Sequence, residues 1–200
     1  NKKNITLNIT EVATPSITDK EVLVKVTVAG VNPLDNMISR GEVKMIVPYK
    51  LPQTAGNEVV GIIEETGKQV KNLKVGDRVF GRLPLDHIGA FAEYVAVDSQ
   101  ALAKVPDYLS DEEAAAVPLT ALTIMQALEL MGAQVGKTIF ISGGTGGVGG
   151  MVGGFGSNNG VMGAAANGIA VGSKAGEVAN KPIGEVAKSA GQNLSGKAMG

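Results

Sequence analysis

Residues 136–150, GKTIFISGGTGGVGG, constrain the fold more than any other stretch. Thr138 to Ser142 make a short apolar, β-prone run that leads directly into closely spaced glycines. A strand, a glycine-rich turn and a helix in that order aim backbone N–H groups and the positive end of a helix dipole at one point, where a phosphate can sit. Gly144-x-Gly146-x-x-Gly149 has the spacing of a dinucleotide-binding turn and follows a predicted strand, as that reading requires. No Gly-Lys-Ser/Thr ends it, so it is not a P-loop. The competing reading is the start of a low-complexity tail, because a glycine-rich region generates such spacings by chance.

The residues after the turn support the tail reading. Residues 151–200 are crowded with Gly, Ala, Ser and Asn, and Phe155 is their only aromatic. No charge occurs between Lys137 and Lys174, but glycines and asparagines interrupt that stretch, so a membrane span is not expected. Gly168 to Gly172 could supply a meagre second strand, with Lys174 beyond it. A lysine there would suit the 2′-phosphate of NADP; a plain surface lysine is the alternative.

The first 132 residues have a different grammar. Glu21 to Val28 alternates apolar and polar residues as a half-buried strand does, and Val59 to Glu65, Arg78 to Phe80 and Ala92 to Val97 are further short β-rich runs. Turn residues punctuate them at short intervals, which predicts an antiparallel barrel. Ser110 and Glu113 then have capping-box spacing, opening a short helix that should end before Pro118. A second helix is expected over Leu119 to Met131, with Pro118 in its first turn and Gly132 as its stop.

Bulk properties narrow the function classes. A formal net charge of −1 offers no basic field for nucleic acid. No cysteine and a single histidine leave no thiolate metal site, so no metal is expected. The absence of an apolar run after the opening lysines predicts a cytoplasmic protein.

Taken together, six ordered segments resemble the zinc-independent branch of the medium-chain dehydrogenase/reductases, the NADPH:quinone oxidoreductases and related enone reductases. They are Gly30-Val-Asn-Pro-Leu-Asp35 with Arg40-Gly41, Gly56-Asn-Glu-Val-Val-Gly61, Val75-Gly-Asp-Arg-Val-Phe-Gly81, Gly89-Ala-Phe-Ala-Glu-Tyr94, Ala114-Ala-Ala-Val-Pro118 with Leu122-Thr123, and Gly144-Thr-Gly-Gly-Val-Gly149. Zinc-dependent relatives carry His where this chain has Asn57. The resemblance implies a fold of the α/β class with a β-barrel: a GroES-like catalytic barrel over residues 1–117, without its first strand, then a partial or degenerate Rossmann domain over 118–200 whose tail begins near 150.

The resemblance also implies roles. Hydride would pass from NADPH, with NADH not excluded, to a small-molecule quinone or enone in the cleft between the two domains. Asn32 matches the asparagine lining that cleft, Thr123 the threonine approaching the cofactor amide, and Thr145, Gly146, Gly147, Val148 and Gly149 the pyrophosphate turn. For Asn32 the plainer reading is a turn residue before Pro33, and for Thr123 a hydroxyl bonded back to its own helix. Glu58 is expected to anchor a backbone group or an arginine, and Asp35 to act as a local cap. No dedicated acid–base residue is expected, because the cofactor carries the chemistry. A homodimer is compatible with the resemblance. The second functional reading is a non-catalytic barrel, an interaction module with an incomplete nucleotide site.

Overall fold

The computed structural model describes residues 7–45, 49, 52–133 and 139–157. Strands β1 (Glu21–Gly30), β2 (Glu58–Thr66), β3 (Arg78–Arg82), β4 (Tyr94–Asp98) and β5 (Leu102–Lys104) form one antiparallel sheet in the order β4-β1-β2-β3-β5. Helix α1 (Pro33–Ser39) follows β1. Helices α2 (Asp111–Ala115), α3 (Pro118–Leu130) and α4 (Gly147–Ser157) follow the sheet.

Period-two alternation divides the apolar residues between the two faces. Val22, Val24, Val59, Ile63, Val79, Val97 and Leu102 join one buried cluster. Their strand neighbours Val60, Phe80 and Ala103 join another, with Leu109, Ala114, Ala115 and Val117 from α2 and its flanks. Each fully buried valine or isoleucine contributes on the order of 1.5–3 kcal/mol. Strand β1 lies inside the sheet, paired with both β2 and β4, and its Val22, Leu23 and Val24 are all buried. Its predicted half-buried alternation holds only toward Thr27, where Lys25 and Thr27 are exposed.

Two expectations need correction. Among the described residues the ladder runs from β4 to β5 without pairing those two outer strands, so the sheet is open where a closed barrel is expected. Residues 7–18 belong to no strand, and Leu7, Ile9 and Val12 are exposed. The second correction is Thr138 to Ser142. Thr138 lies outside the described residues, Ile139 to Ile141 form no strand, and Phe140 is 92% exposed. Among the described residues the run has no partner, because all five strands pair among themselves, and a run without a ladder is no strand.

The helices follow their end signals closely. Ser110 and Glu113 form the capping box of α2, with Ser110 N–H donating to Glu113 Oε2 at 2.9 Å and Glu113 N–H to Ser110 Oγ at 3.2 Å. α3 begins at Pro118, and Gly132 lies just beyond its end at φ +59°. Asp111 ties α2 to the sheet by accepting from Thr27 Oγ1 of β1 at 2.6 Å and from Arg78 Nε of β3 at 2.5 Å.

Candidate cofactor site

The glycine turn keeps two of its three predicted parts. Gly143 has φ +75°, Gly146 N–H donates to Gly143 O at 3.0 Å, and α4 starts at Gly147. Gly150 N–H donates to Gly146 O at 2.7 Å, so the N–H groups of Gly147, Val148 and Gly149 precede the first bond within the helix. Thr145, Gly146, Gly147 and Val148 are exposed. Gly149 is required for packing: a Cβ there would lie 2.3 Å from Gly143 O and 2.9 Å from Gly144 Cα. At Gly147 a Cβ would meet only Thr120 Oγ1 of α3, at 3.8 Å, so the surface above this residue is open. An exposed backbone without Cβ atoms at the start of an eleven-residue helix fits a pyrophosphate.

The second part of the site is polar and buried. Asn32 is the residue before α1, extended at φ −124° and ψ 158°. Its backbone N–H donates to Asp35 Oδ2 at 2.7 Å, which closes the helix start, and its side-chain Nδ2 donates to Glu58 Oε2. Glu58 is 2% exposed, and its other oxygen, Oε1, accepts from the backbone N–H of Leu119 in the first turn of α3. Beside it, fully buried Asn57 donates from Nδ2 to Asp35 Oδ1 at 2.7 Å.

The charges here act on one another. Burial pushes the Glu58 carboxyl above its ordinary range; the Leu119 N–H and the Asn32 amide oppose the shift, Asp35 adds to it, and Arg82 opposes it. Arg82 is the cross-strand partner of Glu58. Among the described residues no three His, Cys, Asp or Glu side chains gather as a metal-ligand group.

Helix α3 joins the two parts. Leu119 receives Glu58, and the adjacent Thr120 lies beneath Gly147. Asn32 and the glycine turn therefore lean on the same helical turn. Thr123 stands one turn further on, exposed, with its hydroxyl donating to Leu119 O at 2.8 Å. Tyr49 donates its hydroxyl to Ile38 O. Gly168 to Gly172 and Lys174 lie outside the described residues.

Sequence reasoning expected Glu58 to anchor a backbone group or an arginine, but it did not identify Leu119 as the group held, nor the packing of α3 against α4. A signal for the first exists: α3 opens on Val117 and Pro118, with no side chain able to cap it, so its free N–H groups need an acceptor from elsewhere.

The alcohol dehydrogenase GroES-like domain matches residues 18–107. The chain is 41% identical over 147 residues to a 2-methylene-furan-3-one reductase of Solanum lycopersicum, covering 70% of this chain and 38% of that protein. It is 35% identical over 140 residues to a quinone oxidoreductase of Lama guanicoe, covering 70% of this chain and 41% of the relative. Among solved structures, a quinone oxidoreductase from Coxiella burnetii superposes with a TM-score of 0.65 at 30% identity, over 76% of this chain and 49% of that one. A mycobacterial protein solved with NADPH gives a TM-score of 0.68 at 29% identity, over 86% of this chain and 52% of its own. The chain thus spans well under two thirds of the relatives that it matches. The domain match and the likenesses in sequence and fold agree: the chain belongs to the medium-chain dehydrogenase/reductases, carries their GroES-like domain, and is of the quinone oxidoreductase-like kind.

Proposed function

We propose that this chain is the barrel and the beginning of the cofactor domain, divided near residue 117, of a metal-free reductase that moves hydride from NADPH to a small quinone or enone. The observation that carries the reading is the open, Cβ-free turn at Gly146 and Gly147, placed at the start of α4 and against the same turn of α3 that Glu58 and Asn32 hold. Similarity to proteins named as quinone and enone reductases, one of the solved structures being an NADPH complex, supports it.

The nicotinamide, when bound, supplies the hydride. Gly147, Val148 and Gly149 would receive the pyrophosphate through their N–H groups, aided by the positive end of α4, while Gly146, without a side chain, would let it approach the backbone. Thr145 would stand at the mouth of the turn. Asn32, fixed through its Nδ2 by Glu58, keeps its amide oxygen for the nicotinamide side of the cleft. Thr123 would reach the cofactor amide by leaving its bond to Leu119 O. No side chain of the site is assigned as proton donor; positioning is what the protein contributes. NADPH in preference to NADH, a cytoplasmic location and a homodimer complete the reading, although several relatives are named as chloroplastic.

The non-catalytic reading draws on one observation, the unpaired run at Ile139 to Ile141 with Phe140 exposed. An assay separates the two. Purified protein should oxidise NADPH when given a quinone or an enone, at a rate unchanged by a chelator. No turnover would favour the interaction module; loss of rate with chelator would overturn the metal-free assignment.

A further inference from the structure

We propose that Glu58 is a positioning residue, a latch that fixes Asn32 of the sheet side to the first turn of α3 and so sets the distance between Asn32 and the glycine turn. The inference rests on the cofactor reading of that turn. Each carboxylate oxygen has a different element to hold: Oε2 takes the Asn32 amide and Oε1 takes the Leu119 N–H. The α3 side of the latch is needed because Pro118 has no N–H and Val117 offers no cap, which makes Leu119 the first donor of the helix.

The latch also has no slack. A Cβ at Gly30, the last residue of β1, would lie 2.5 Å from Glu58 Oε2 and 2.6 Å from Ala115 O at the end of α2. Two charged groups face the carboxylate, Asp35 from α1 and Arg82 from β3. Beyond Leu119, α3 packs against α4, and a Cβ added at Gly147 would come within 3.8 Å of Thr120 Oγ1. One buried side chain of β2 therefore joins Asn32, the residue before α1, to α3, which packs against α4. Glu58 acts through Asn32 and Leu119, not on the reacting atoms.

The two arms can be cut separately. In Glu58→Gln the amide oxygen can still accept from Leu119, but an NH₂ group then confronts Asn32 Nδ2, and two donors cannot bond. Glu58→Ala removes both arms. The measurements are fluorescence titration with NADPH, thermal unfolding, and amide exchange at Leu119. For Glu58→Gln we expect unfolding within a few degrees of wild type, unchanged Leu119 exchange and an NADPH Kd raised about tenfold, the effect of losing one charge-assisted bond. For Glu58→Ala, Leu119 exchange should accelerate at least as much.

Glu58→Gln binding NADPH within about twofold of a wild type that binds it would overturn the positioning role. Fast exchange of Leu119 in the wild type would overturn the latch without any variant. If the wild type does not bind NADPH at all, the cofactor reading fails instead, and Leu119 exchange still decides whether the latch exists.

Discussion

Single residues carry much of this structure because several hold two elements at once. Asp111 is one: its carboxylate accepts from Thr27 of β1 and Arg78 of β3 while it stands in the first turn of α2. The Thr27 hydroxyl is the largest influence holding its pKa below the usual range, with burial opposing and Arg78 assisting. A depressed folded pKa means that stability is present above the unfolded value and is lost as pH falls through the folded one. Asp111→Asn should therefore cost about 1–2 kcal/mol at neutral pH, a figure discounted for the partial exposure of the pair. The gap to wild type should narrow as pH falls below the ordinary aspartate range, as urea unfolding across pH would show. A gap that persists there would mean that the contact is not ionic. At this scale the sequence was readable where partners are close along the chain. The Ser110 and Glu113 cap follows from a three-residue spacing, whereas Glu58 and Leu119 are 61 residues apart. Only the lack of a cap at Val117 hints at the second.

At the scale of elements, the strands were legible because alternation and turn residues report a sheet with two covered faces. Two elements were not. α1 reads as a turn because Asn-Pro starts turns and helices alike; Pro33 in the first turn and Asp35 closing onto Asn32 favour the helix. β5 is three residues long and too short to show a period. The apolar run at Ile139 to Ile141 shows the converse error, since β-propensity without a neighbouring ladder does not make a strand. How β1, β2 and α2 meet can be tested at Gly30. Gly30→Ala places a methyl against Glu58 and the carbonyl of Ala115, and backbone cannot yield as a side-chain tip does. We expect a loss of about 1–3 kcal/mol by denaturant unfolding, the usual range for overpacking. A neutral result would mean that the ends of β1 and α2 are loosely joined.

For the molecule as a whole, α3 is the part that relates the sheet to the glycine turn. It receives Glu58 at Leu119 and lies against Gly147 at Thr120. The six ordered motifs made the family legible because most of them fall where the fold needs them: at β1 into α1, at the start of β2, in β3, in the segment leading to β4, and at the start of α3. The second half was less legible, because glycine and alanine offer little side chain to pattern. Among the described residues no helix is long and apolar enough to cross a membrane.

The central claim is that Gly146 and Gly147, seated on α3, receive a dinucleotide. A fluorescence titration of NADPH against wild type and Gly147→Val tests it most directly. There is room beside Thr120 for a Cβ at 3.8 Å, so the helix should still pack, while the new side chain covers the approach to the turn. The account predicts saturable binding to wild type and at least a tenfold weaker Kd for the variant, with thermal unfolding little changed. Equal affinity of the two proteins, or no binding by the wild type, would contradict it.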